Sequence, residues 1–324
     1  MQDADSTSVV GHVGRKGLRF ALTDGHGGVK PGTMRHYDVE AGSSVSGSLS
    51  SFRRDTGLDH LPRRLAIAVA GLARGDAISI TQTRWFVSRS GLQSMLGAPP
   101  LILNDFEAEA WALTGHGGAQ TPIAGAPPVN LREPGTYCIA GITSGLGVSV
   151  MTRDRAGGVH VLATEAGHAG FAPGSRRMAE LVATMFPNTH PIAAEDLISA
   201  GGLVAIYNAL AGQQHSSKRM TRPEDITRHA ASDPLARAAC EMLCEAFWTH
   251  IGNLVLSYGA WDGVIVTGGL AMALRDTLGG PRMQACLAGT GKYARLVAAM
   301  PRMLVAVEHG ELLGAAKALQ RQAA

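Results

Sequence analysis

The chain has 324 residues, 45% of them hydrophobic and 17% charged, with a formal net charge of +3. That length suits one large or two moderate domains with a packed core, and so small a charge argues against nucleic acid as a partner. No apolar run approaches the ~18 residues of a membrane span. The opening MQDADSTS lacks the pattern of a secretory signal, and Cys138, Cys240, Cys244 and Cys286 form no disulfide framework, so the reducing cytoplasm is the expected compartment.

Residues 8–13 and 18–24 read as two apolar strands joined by the turn Gly14-Arg15-Lys16-Gly17, and 35–39 as a third. The serine- and glycine-rich stretch 42–60 encodes a helix only weakly. Strands follow at 65–70 and 78–80, then a helix from an N-cap at Ser88 to Leu96. Leu101–Leu103 is a buried strand that emerges at Asn104 and Asp105, and a helix follows to Leu113. Residues 115–135 are rich in glycine and proline and read as a surface loop.

The segment CIAGITSGLGVSVM from Cys138 then repeats the strand, glycine turn, strand order of VVGHVGRKGLRFAL near the start. Two halves built on one plan are expected, each opening with a hairpin. Beyond 159–162 helices dominate, at 176–186, 193–200, 203–210 and 234–258. Strands at 263–267 and 303–307 and a helix at 310–320 close the chain. Strands alternating with helices imply an α/β fold.

Several positions suit chemistry. Asn104 and Asp105 lie where ligands bind in open α/β sheets, beyond a strand's carboxyl end; both types also serve as plain helix caps. Thr143-Ser144-Gly145-Leu146-Gly147 can open backbone N–H groups to a phosphate, or form an ordinary hairpin turn. Glu165 and His168 can hydrogen-bond a polyol from one turn, or sit incidentally in a surface loop. With no third ligand at a usual spacing they do not read as a metal site. Glu195 opens a helix, and Cys240 and Cys244 read as packing on a long one. No GxGxxG or GxxxxGK[ST] occurs.

Asn104-Asp105-Phe106, the Gly141–Gly147 turn, Glu165-x-Gly-His168-x-x-Phe171-Ala172-Pro173, Glu195 before Ser199, Gly268-Gly269 and Leu312-Leu313-Gly314 occur in order. Together they resemble the bacterial ATP-dependent glucokinases of the hexokinase/actin-like superfamily, over nearly the whole chain. The zinc-binding cysteine cluster of the ROK sugar kinases is absent, so the resemblance is to the non-ROK group. It implies two actin/hexokinase-like (RNase H-like) α/β domains around a cleft, a small one of 1–104 joined by helix 305–324 and a large one of 105–304. It also implies ATP and Mg²⁺ as cofactors, glucose as the hexose substrate, a glycolytic role and a homodimer. Asp105 resembles the general base for the sugar 6-hydroxyl. Asn104, Glu165, His168 and Glu195 resemble the residues that hold the sugar. Ser144 and Gly145 match the second phosphate turn, and Gly268 and Gly269 the adenosine side.

The departure lies in the first phosphate turn, Gly11, His12, Gly14 and Lys16. The family carries Asp-x-Gly-Gly-Thr there; this chain has His12, Arg15 and Lys16 for the aspartate, second glycine and threonine. A neutral imidazole is a poor ligand for Mg²⁺, while Arg15 and Lys16 add positive charge where phosphates would lie. A smaller departure is Gln82, where the family usually has asparagine. The chain therefore reads as a glucokinase of reduced activity. The alternative is an impaired homologue that binds sugar as a sensor or regulatory protein.

Overall fold

The structure, a computed structural model, describes residues 7–15, 17–38, 44–81, 83, 85–115 and 118–322. It divides into two compact units, Met1–Gly118 with Val307–Ala324, and Ala119–Ala306.

Unit 1 holds β1 (Val9–Gly14), β2 (Gly17–Leu22), β3 (Arg35–Tyr37), α1 (Val45–Asp55), β4 (Leu65–Val69), β5 (Ala77–Ser79), β6 (Phe86–Ser88), α2 (Arg89–Leu96), β7 (Leu101–Asn104) and α3 (Asp105–Ala112). The C-terminal helix Gly310–Arg321 completes it. Its main sheet runs β3-β2-β1-β4-β7, with β1, β4 and β7 parallel and β5-β6 a separate ribbon. Leu49 and Phe52 of α1 pack with Phe20 and Ile67 in one core. A second core joins Val10, Ala66 and Leu103 to Ala108 of α3 and to Leu312, Ala315 and Leu319 of the C-terminal helix. Helix α1 is firmer than its composition predicts. Ser44 caps it by accepting the Gly47 N–H, and Val45, Leu49 and Phe52 are buried along one face, so packing outweighs weak propensity. Ser88 caps α2 as predicted, accepting the Gly91 N–H.

Unit 2 holds β8 (Ala119–Pro122), β9 (Gly135–Ile142), β10 (Leu146–Arg153), β11 (Val159–Thr164), α4 (Arg176–Met185), α5 (Ala194–Leu197), α6 (Ala200–Gln213), α7 (Pro223–His229) and α8 (Pro234–Tyr258). After β12 (Gly263–Thr267) come α9 (Gly269–Ala273), α10 (Arg275–Leu278), α11 (Met283–Ala288) and α12 (Ala294–Ala298), then β13 (Arg302–Ala306). The sheet order is β11-β10-β9-β12-β13-β8. Helix α8 starts at a proline behind the Asp233 cap and ends at left-handed Gly259, two strong boundary signals. Cys240 and Cys244 are buried on it, as packing residues. Among the described residues no helix is long and apolar enough to cross a membrane.

The two sheets share one topology. The order β3-β2-β1-β4-β7 matches β11-β10-β9-β12-β13: an antiparallel hairpin, its second strand flanked by a third, its first by two parallel strands. The weak internal repeat in the sequence is a real duplication of plan. The division falls after Gly118 rather than after Asn104 because α3 packs on the C-terminal helix and belongs to unit 1.

Candidate active site

In unit 1, β7 delivers Asn104 and Asp105 to its carboxyl end. The Asn104 side-chain oxygen accepts the Phe106 N–H at 2.8 Å and the Glu107 N–H at 3.3 Å. Its amide nitrogen donates to the Gly71 carbonyl at 3.2 Å, and the residue is 7% exposed. The capping role that sequence left open is therefore real: Asn104 fastens α3 to the sheet. Asp105 is the first residue of α3, half-buried, with Oδ1 accepting the Phe106 N–H at 2.9 Å. A helix N-terminus favours a negative charge there.

In the first turn Gly14 pairs with Gly17. Lys16 lies outside the described residues; Arg15 is exposed. Gly11 is buried, and a side chain on it would come within 2.7 Å of the Phe20 ring, so packing explains this glycine. At Gly14 a Cβ would meet the His12 ring at 2.8 Å, so the imidazole occupies the space that this glycine leaves.

The His12 ring is held by a charged cluster that the sequence reading missed. Its Nδ1 lies 2.9 Å from the Arg19 guanidinium. Arginine only donates, so Nδ1 accepts and the ring proton sits on Nε2, 3.9 Å from Glu311 Oε1. Burial, aided by Arg19 and opposed by Glu311, lowers His12 to about 4, so it is neutral at pH 7. Arg19 also pairs with Glu311 Oε2 at 3.1 Å and donates to His309 Nδ1 at 3.4 Å. Beside them, Glu109 of α3 lies against Gly310. Burial, with the charges of Glu311 and Asp105, pushes its carboxyl up to about 8. The one local signal of this cluster was Arg19 itself, a charge inside an otherwise apolar strand. Imidazole and guanidinium suit Mg²⁺ poorly, and the described residues contain no three-ligand metal cluster. Among the described residues, this turn thus forms no seat for that ion.

In unit 2, three loops knit together. The Glu195 Oε2 accepts the Leu146 N–H at 2.8 Å. A side chain on Gly145 would collide with the same carboxylate, which explains that glycine sterically. The Ala200 N–H donates to the Thr143 carbonyl at 3.1 Å, joining the start of α6 to this turn. Glu165 precedes the 3-10 turn Ala166–His168, whose Gly167 rests on the Leu146 carbonyl where no Cβ would fit. Buried His250 of α8 pins the turn, its Nε2 3.0 Å from the Ala166 carbonyl oxygen. His168 Nε2 stands 4.0 Å from Glu165 Oε2, and both side chains are exposed. Partial burial raises the Glu165 carboxyl; His168 opposes this and the Glu195 charge adds to it. Glu165, His168 and Glu195 thus form one group.

Ser144 is exposed at the tip of the β9-β10 turn. Its neighbour across the parallel β9-β12 pair is the Gly268-Gly269 turn. Gly268 has φ +97° and lies against the Ile142 carbonyl, a place closed to side chains, whereas nothing crowds Gly269 at the start of α9. Both turns lie at the carboxyl ends of their strands, where α/β sheets bind ligands.

The glucokinase family model matches residues 9–322. A glucokinase of Xanthomonas campestris pv. campestris is 32% identical over 315 residues, covering 95% of this chain and 93% of that protein. The crystal structure of glucokinase from Balamuthia mandrillaris in complex with glucose superposes with a TM-score of 0.79 at 17% identity, over 98% of this chain and 94% of that one. A ROK family glucokinase from Streptomyces griseus, in complex with glucose and AMPPNP, gives 0.66 at 16% identity over 98% and 99%. At these identities the structures speak for the fold alone, two actin/hexokinase-like α/β units; the family match and the curated relative go further. On that evidence the chain belongs to the glucokinase family of ATP-dependent hexose kinases.

Proposed function

We propose that the chain transfers the γ-phosphoryl group of ATP to the 6-hydroxyl of glucose. The observation that carries this reading is the cluster of Glu165, His168 and Glu195, joined through Glu195 to the turn that presents Ser144. Two carboxylates and an imidazole match a polyol, and the turn bonded to one of them is open to phosphate. Glucose and AMPPNP in the Streptomyces griseus relative are in keeping with these two ligands.

In this reading Glu165, His168, Glu195 and Asn104 hold the sugar hydroxyls, and Asp105 accepts the proton of the 6-hydroxyl. The oxygen–phosphorus bond to the sugar forms as the bond to the β-bridging oxygen breaks, and ADP departs. Ser144, Gly145, Gly268 and Gly269 seat the nucleotide, with Gly14 and Lys16 on the first turn. Such transfer depends chiefly on positioning and charge stabilisation. No step is assigned to Mg²⁺, because His12 and Arg19 do not form a seat for it. His12 favours slow turnover: a neutral imidazole, engaged by the Arg19 guanidinium, stands where the family places a carboxylate. It also favours the second reading, a sugar-binding sensor. The protein is taken to act as a homodimer, which sedimentation equilibrium checks.

The test compares this chain with His12→Asp/Arg15→Gly/Lys16→Thr in a coupled assay, alongside titration calorimetry with glucose and MgATP. The kinase reading expects turnover in the parent and faster turnover in the triple variant. Glucose binding without MgATP binding or turnover would defeat it in favour of the sensor.

A further inference from the structure

Unit 2 contains a buried charge that the proposed reaction does not use. Arg302 opens β13 and is 3% exposed. Its guanidinium lies over the Trp248 ring, 5.8 Å from the centroid, and one nitrogen donates to the Ala298 carbonyl at 3.3 Å. Among the described residues no carboxylate pairs with it. Burial alone draws its proton affinity below the ordinary arginine value. A buried cation without a counter-charge is costly, and folded proteins as a rule supply one.

Arg302 lines a cavity of about 340 Å³ together with Ile123, Ala124, Trp248, Leu278 and Met283. That volume falls at the lower end of small-molecule sites. Apart from Arg302 and Gln284, the side chains that line it are apolar. Trp248 donates its indole N–H to the Leu278 carbonyl at 3.1 Å, tying α8 to the end of α10. The cavity sits at the amino end of β13, whereas Gly268 and Gly269 follow the carboxyl end of the parallel neighbour β12. It is therefore separate from the nucleotide turns of the same unit.

We propose that this cavity binds a small organic carboxylate, its charge on the Arg302 guanidinium and its apolar body against Trp248 and Met283. The guanidinium fork matches a carboxylate in two-point geometry. A monoanion cancels the single positive charge; a phosphate dianion would leave a net negative charge with no second cation in the lining. The inference does not depend on the sugar-kinase reading.

Titration calorimetry of the full chain at pH 7 with benzoate, propionate and inorganic phosphate tests it, with intrinsic tryptophan fluorescence, to which Trp248 contributes as one of four tryptophans, as a second readout. Saturable binding of a carboxylate is expected, weaker by about tenfold or more in Arg302→Met, which is 1.4 kcal/mol or more. Ala124→Phe, which puts a large side chain on the cavity lining and leaves the arginine in place, should weaken it likewise. Circular dichroism establishes that each variant is folded; if Arg302→Met is not, Ala124→Phe decides alone. Absence of saturable carboxylate binding, carboxylate binding that survives a folded variant, or phosphate binding as tight as that of benzoate would each overturn the proposal.

Discussion

Glu195 accepts a hydrogen bond from the Leu146 main chain at 2.8 Å, so a carboxylate assigned to the sugar also braces the turn assigned to phosphate. The two halves of the proposed reaction share a joint. Gly145→Ala should displace Glu195 from that joint and damage both. Its KM for glucose should rise and its kcat fall, each by about tenfold, since positioning errors of an ångström cost on that scale or more. Steady-state kinetics separate this from a fault confined to the nucleotide, which would leave glucose affinity at the parent value.

Asp105→Asn removes the proposed base and keeps an N-terminal oxygen on α3. Turnover should fall by about a thousandfold, the middle of the range for general base catalysis, with glucose affinity by calorimetry within tenfold of the parent. Near-normal turnover would remove Asp105 from the chemistry.

Asn104→Ala has a structural cost that needs no assumption about substrate. It strips the cap from α3 and a partner from the Gly71 carbonyl. Urea unfolding should show a loss of about 1–2 kcal/mol, the usual range for an N-cap. An unchanged midpoint would mean that the cap is idle.

The unusual titrations in unit 1 predict a pH profile of stability. His12 falls from 6.5 in the unfolded chain to about 4 when folded, so the unfolded state binds more protons between those values and stability rises with pH. Glu109 goes the other way, from 4.5 to about 8; there the folded state binds more protons, and stability falls as pH rises toward 8. The two oppose each other up to pH 6.5, and above it only Glu109 acts. Urea midpoints from pH 6.5 to 8 should decline in the parent and flatten in Glu109→Gln. A decline of equal slope in the variant would refute the assignment.

The sequence reveals those parts of the fold where local chemistry and packing agree. The first hairpin, β4, the β9-β10 hairpin and the whole of α8 have strong apolar patterns or cap signals, and the structure has them. Strand β8 escapes because it is a short edge strand ending at Pro122, paired only with β13 through the main chain. Helices α9 to α12 are too short to show a period. Within the candidate site, Glu165, His168 and Glu195 are visible as motif residues. The Arg19–Glu311 pair is not, because its members come from opposite ends of the chain. The Arg302–Trp248 stack is hidden in the same way.

The C-terminal helix packs on β1, β4 and α3, and Gly314 lets it approach the Ala108 carbonyl where any larger residue would clash. A ribosome therefore releases the first hairpin of unit 1 some three hundred residues before the helix that seals it. Unit 2 is continuous and can consolidate while translation proceeds; unit 1 must wait, its second core incomplete, until that helix has been made. Loss of the helix Gly310–Arg321 would thus strike the first strands of the chain.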